Sequence, residues 1–127
     1  MDKELHDKGL AVRKAVLGAE YVERSLKTAD DFNLPFQQLV TEYCWGAVWT
    51  REGLSRESRS ILNLGMLSAL GRSHELKLHI RGALNNGLTR DEIREVFMQV
   101  AIYCGVPAAV ESFRCAREVF AEIDGKN

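Results

Sequence analysis

The sequence predicts an all-α protein, a single-domain helical bundle of six to seven helices. Three observations carry this. No stretch of useful length alternates apolar and polar residues with period two, as a half-buried strand would. The two prolines, Pro35 and Pro107, stand where helices can begin. Apolar residues recur at three- and four-residue spacing between glycine stops and capping residues.

Taken in order, the first helix covers about Lys3 to Leu17 and ends before Gly18. A short one follows around Tyr21 to Lys27. The third begins near Pro35 and gathers Phe36, Leu39, Val40, Tyr43, Ala47 and Val48 on one face, predicted to point to the core. Glu42, Trp45 and Trp49 lie opposite, so the tryptophans are expected on an outward face, as an interface or pocket wall. The fourth starts after Ser55 and reaches Leu70. Ile61, Leu62, Leu64, Met66, Leu67, Ala69 and Leu70 surround it, which predicts burial on every side, completed by a homo-oligomer. The fifth spans about Ser73 to Asn86, and Thr89 with Glu92 forms a capping box for the sixth. Gly105 stops that helix, and Pro107 opens the last one. The ends, about 1–4 and 123–127, are expected to fray.

The chain of 127 residues suits one domain, 1–127. Its net charge of −1 offers nothing to attract nucleic acid or an anionic membrane, and no run approaches the roughly 20 apolar residues of a span. The charged N-terminus is unlike a signal peptide, so a cytoplasmic location is expected. Cys44, Cys104 and Cys115 are widely spaced and form no Cys-x-x-Cys pair. Cys44 and Cys104 fall in apolar helical patterns and are expected to pack as small hydrophobes.

Along the fifth helix, Leu76, Ile80, Ala83 and Leu84 form an apolar stripe with Arg72, Glu75 and His79 along one edge. Glu75 and His79 are neighbours at i,i+4. Spacing alone allows two readings: a surface ion pair, or a carboxylate that orients an imidazole and raises its pKa for general acid work. Metal binding is disfavoured, since two ligands are too few and His74 faces away. Arg59 opens the fourth helix, with Asn63 one turn further on the same side. It reads either as a salt bridge to Glu42, Glu75 or Glu92, or as an anchor for a bound carboxylate. Tyr43, Trp45 and Tyr103 suit a pocket lining or ordinary core.

Several stretches resemble the carboxymuconolactone decarboxylase family: Val40-Thr-Glu-Tyr-Cys-Trp-Gly-Ala-Val-Trp49, Leu54-Ser-Arg-Glu-Ser-Arg-Ser60 and Glu75-Leu-Lys-Leu-His-Ile-Arg-Gly-Ala-Leu-Asn-Asn-Gly87. Thr89-Arg-Asp-Glu-Ile-Arg-Glu95, Tyr103-Cys-Gly-Val-Pro-Ala-Ala109 and the segment from Gly9 to Glu23 extend the likeness over nearly the whole chain. The resemblance implies an alkyl hydroperoxidase D-like fold, a ring-like homo-oligomer (hexamer or trimer), and no cofactor or metal. The thiol peroxidases of that superfamily carry a Cys-x-x-Cys pair before the same histidine. Here those two positions hold Arg72 and Glu75, so dithiol chemistry has no thiolate at this site.

The resemblance also implies an activity: decarboxylation of 4-carboxymuconolactone, a lactone dicarboxylate, in aromatic-acid breakdown, with another lactone as the alternative substrate. In such a substrate the electrons left by carbon dioxide delocalise through the ring alkene onto the lactone carbonyl. The substrate is its own electron sink. The protein's expected tasks are then to hold two carboxylates (Arg59 and Arg72), to stabilise the oxyanion (Tyr43, Trp45 or His79), and to deliver a proton to carbon (His79, oriented by Glu75). Glu42 and Tyr103 are expected beside them in the substrate pocket.

Overall fold

The computed structural model describes residues 1–125; the expected fraying at 126–127 lies outside the described residues. Among the described residues are seven α-helices and no strand. The chain divides into two compact units, Met1–Arg56 and the part from Glu57 onward, each with its own buried cluster.

In the first unit, α1 (Lys3–Leu17) is capped by Asp2, whose carboxylate accepts from Leu5 N at 3.1 Å. Residues 1–4, expected to fray, thus include a capped helix start. After α2 (Ala19–Lys27), the short α3 (Leu34–Leu39) carries Pro35 in its first turn and runs directly into a π-helical segment, Val40–Val48. This segment crosses α1 at two glycines. A Cβ on Gly9 would stand 2.0 Å from the Thr41 carbonyl oxygen, and one on Gly46 would stand 2.4 Å from the Leu5 carbonyl oxygen. Only hydrogen fits there.

That crossing overturns the predicted orientation of the third helix. Thr41, Glu42, Trp45, Gly46 and Trp49 are buried, whereas Phe36, Leu39, Tyr43 and Val48 are exposed. The helical period grouped Trp45 and Trp49 correctly, but the face they share is the covered one. Backbone contact through Gly9 and Gly46 selects the face bearing the glycine rather than the more apolar one. Trp45 and Trp49 stack with centroids 4.9 Å apart against Val12 and Val16. Arg13, buried on α1, donates to Thr41 Oγ1 at 3.0 Å and Gln37 Oε1 at 2.9 Å, and burial lowers its pKa.

The second unit holds most of α4 (Arg56–Leu70), then α5 (Ser73–Asn85), α6 (Arg90–Tyr103) and α7 (Val106–Ile123). Leu64, Leu76, Ile80, Ile93, Phe97 and Val119 lead its core, and Phe97 meets Phe113 edge-on at 5.8 Å. The capping box of α6 is formed as predicted: Glu92 N donates to Thr89 Oγ1, and Thr89 N to Glu92 Oε1. Gly105, at φ 101°, makes the turn between α6 and α7 in a conformation that disfavours side chains.

Within the single chain α4 is not buried all round. Its buried stripe is Ser60, Leu64 and Ser68, while Ile61, Leu62, Met66 and Leu70 are exposed. The two serine hydroxyls are satisfied: Asn86 Nδ2 donates to Ser60 Oγ at 2.8 Å, and Ser112 Oγ donates to Ser68 Oγ at 2.8 Å. The expected packing of Cys44 and Cys104 is also corrected; both are exposed, and Cys115 is the buried cysteine. Among the described residues no helix is long and apolar enough to cross a membrane.

Candidate active site

His79 stands on α5 between Leu78 and the fully buried Ile80, at the edge of the apolar stripe that anchors this helix to the core. The ring is half-buried. From α4, the Asn63 amide nitrogen lies 3.4 Å from His79 Nδ1. Burial pushes the imidazole pKa below its ordinary value, and the Glu75 carboxylate raises it by less. Spacing alone left open whether the carboxylate raises the imidazole pKa. Burial outweighs it, because Glu75 is exposed and water screens its field, while desolvation penalises the charged ring directly. Burial therefore favours the neutral ring.

Arg59 and Asn63 are one turn apart on α4, and both are half-buried. Of the three acids considered as partners for Arg59, two have other bonds: Glu92 closes the α6 cap, and Glu42 accepts from Asp2 N at 2.8 Å. Arg72 is the N-cap residue of α5; its amide donates to Leu67 O at 3.0 Å and its carbonyl accepts from Leu76 N at 2.8 Å. It is exposed and lines a groove of 360 Å³ with Ser73, Leu76, Pro107, Glu111 and Ser112. Glu111 there accepts from Ser73 Oγ at 2.6 Å and pairs with Arg114, which holds its pKa at about 2.

The other candidates are placed differently. Tyr103, 81% exposed, borders an apolar groove of 420 Å³ between α4 and α6, lined also by Ile61, Leu62, Met66 and Val100. None of Arg59, Asn63, Glu75 or His79 lines it. That greasy surface is thus separate from the ionisable groups. Trp45, 3% exposed, and Glu42, 7% exposed, are buried in the first unit, correcting the outward face expected for them; Tyr43 is 56% exposed there.

The structure therefore brings Glu75, His79 and Asn63 together, with Arg59 a turn away on the Asn63 side. Asn63 is the contact that helical spacing did not reveal, since no periodicity links α4 to α5. Among the described residues no three His, Cys, Asp or Glu side chains gather closely enough to hold a metal ion.

An all-helical protein thus sets an imidazole, a carboxylate and a carboxamide together on α4 and α5, with a guanidinium a turn away. The chain belongs to the carboxymuconolactone decarboxylase family, whose model matches residues 35–118. It is 42% identical to a 4-carboxymuconolactone decarboxylase of Acinetobacter baylyi over 122 residues, 96% of this chain and 91% of that protein. It is 49% identical to a nitrosuccinic acid decarboxylase of Metarhizium robertsii over 112 residues, 88% of this chain and 78% of that one. A 4-carboxymuconolactone decarboxylase of Pseudomonas putida matches at 42% over 45 residues, 35% of this chain and 94% of its own length.

Proposed function

We propose that this chain converts 4-carboxymuconolactone to 3-oxoadipate enol-lactone and carbon dioxide, without a cofactor, in the cytoplasm. The observation that carries the mechanism is the half-buried His79 at a core edge, flanked by Glu75 and Asn63. The substrate follows from the near-full-length likeness to the Acinetobacter baylyi decarboxylase.

In this scheme Arg59 and Arg72 receive the two carboxylates, the planar guanidinium suiting bidentate pairing. The bond from the ring's γ carbon to its carboxylate breaks, carbon dioxide leaves, and the electron pair moves through the alkene to the lactone carbonyl oxygen. His79 then gives its proton to the α carbon. Burial favours the neutral free ring, so this step needs proton uptake. A bound dianion supplies the reason, because two negative charges nearby favour the imidazolium and offset the effect of burial. Glu75 adds to that field and orients the ring. Tyr103, and Glu42, Tyr43 and Trp45 in the other unit, carry no step in the scheme.

The second reading is a different small dicarboxylate, favoured by the 49% identity to a nitrosuccinic acid decarboxylase. A nitro group accepts the electron pair as a lactone carbonyl does, so the same anchors and proton donor serve both substrates. Spectrophotometric assays with freshly generated 4-carboxymuconolactone and with nitrosuccinate decide between them by kcat/KM. His79→Ala should lower kcat on the true substrate by about 10²–10⁴ while leaving folding intact; near-wild-type turnover would remove His79 from the mechanism.

A homo-oligomer, trimeric or hexameric, is proposed with this activity. The exposed Ile61, Leu62, Met66 and Tyr103 around the apolar groove support it. Sedimentation velocity tests it, and a monomer at micromolar concentration would refute it.

A further inference from the structure

We propose that Asn63 is a positioning residue for His79, which holds the neutral ring in the tautomer with hydrogen on Nε2. The proposal rests on the reading of His79 as proton donor. It goes beyond that reading by assigning a task to a residue on a different helix.

The geometry is local and specific. Asn63 Nδ2 lies 3.4 Å from His79 Nδ1, and both residues are half-buried. This is at the long end for an N–H···N bond, as contacts in unliganded sites often are before substrate tightens them. The face of α4 that carries Asn63 is held on either side. Ser60, one turn before on the buried stripe, accepts from Asn86 at 2.8 Å, and Ser68 accepts from Ser112 at 2.8 Å. The register of α4 against the imidazole is therefore set by contacts that do not involve the ring.

A carboxamide ends in one donor and one acceptor of nearly the same shape. With Nδ2 toward the ring, it donates to the Nδ1 lone pair of the neutral imidazole, and the ring's hydrogen is then on Nε2. A carboxylate at this position would instead favour the charged ring, and an aliphatic side chain would withdraw this partner from Nδ1. Glu75 on the ring's own helix is the charged group acting on it, and neutral Asn63 is the contact from α4.

The test compares wild type, Asn63→Ala, Asn63→Asp and Asn63→Ser by long-range ¹H–¹⁵N NMR of the His79 ring, alongside steady-state kinetics on the decarboxylase substrate. In the wild type the neutral ring should show a single Nε2–H tautomer. In Asn63→Ala it should become a mixture, and kcat should fall about 10–100-fold with KM within about twofold, as losses of orienting partners commonly do. Asn63→Asp should keep the ring charged to higher pH. Asn63→Ser, which retains a donor and an acceptor, should recover the tautomer in part, and it also covers the case of an unfolded alanine variant. A wild-type Nδ1–H tautomer overturns the proposal, as does an Asn63→Ala protein with unchanged tautomer and kcat. A tautomer that shifts while kcat stays put overturns the catalytic role of the contact. Wild-type turnover by His79→Ala instead overturns the parent reading, and the NMR result is independent of it.

Discussion

The crossing of α1 with the π-helical segment can be tested with two alanines of opposite expected sign. A methyl on Gly9 would stand 2.0 Å from the Thr41 carbonyl oxygen, 2.6 Å from Gly46 N and 2.9 Å from Gly46 Cα. All three are backbone atoms and cannot swing away. Ordinary contact begins near 3.4 Å, so the two helices must separate by roughly 1 Å or more. A gap of that size forfeits a quarter to a half of each dispersion contact across the crossing, including those of Val12 and Val16 with the stacked tryptophans. Overpacking typically costs about 1–3 kcal/mol, occasionally more, and the site lies at the upper end because nothing flexible can yield. Removing a helical glycine returns about 1 kcal/mol. The net expectation for Gly9→Ala is a loss of about 2 kcal/mol. At Gly65, within α4, an added Cβ meets nothing within 4 Å, so Gly65→Ala should instead stabilise by about 1 kcal/mol. Urea unfolding followed by circular dichroism at one fixed protein concentration reads both, with stability taken from the midpoint at constant slope. If Gly9→Ala matched the wild type, the close approach assigned to this crossing would be wrong.

The His79 pKa lies below its ordinary value because burial outweighs Glu75, so kcat/KM should fall as pH rises through that lowered pKa, whereas kcat should persist to higher pH in the substrate-bound protein; profiles that superimpose would contradict proton uptake on binding. Glu111, held at about 2 against an ordinary 4.5, contributes stability that is present above about 4.5 and lost as pH falls toward 2. Glu111→Gln should therefore lower the urea midpoint at pH 6 and converge with the wild type near pH 2. Arg59→Ala should raise KM about 10–100-fold, the value of one charge-assisted bond, with kcat changed by only a few-fold; a lowered unfolding midpoint with an unchanged KM in the folded protein would make Arg59 a structural ion-pair residue.

The helix inventory was legible because each boundary carries a local signal. Gly18, Gly71, Gly87 and Gly105 all end or join helices at positive φ, and the Thr89–Glu92 box formed as read. The pairing of Glu75 with His79 was legible for the same reason, since neighbours at i,i+4 are decided by the helix itself. The third helix was misread where geometry ceased to be local. Its glycine-to-glycine crossing depends on α1, more than thirty residues earlier in the chain. On α4 the chain by itself covers only the stripe with Ser60, Leu64 and Ser68, and the partners of the two serines, Asn86 and Ser112, come from distant parts of the chain that no helical period could name.

By itself, then, the sequence determined the all-helical class, the helix boundaries, the absence of a dithiol before His79 and the alignment of Glu75 with that ring. These follow from dihedral preference and the helical repeat, which act over a few residues. Only the tertiary structure decided which face of each helix is covered, that burial wins over Glu75 in setting the charge of His79, and that Asn63 meets the ring. Those outcomes depend on which backbones can touch and how much water they exclude, and distant parts of the chain set both.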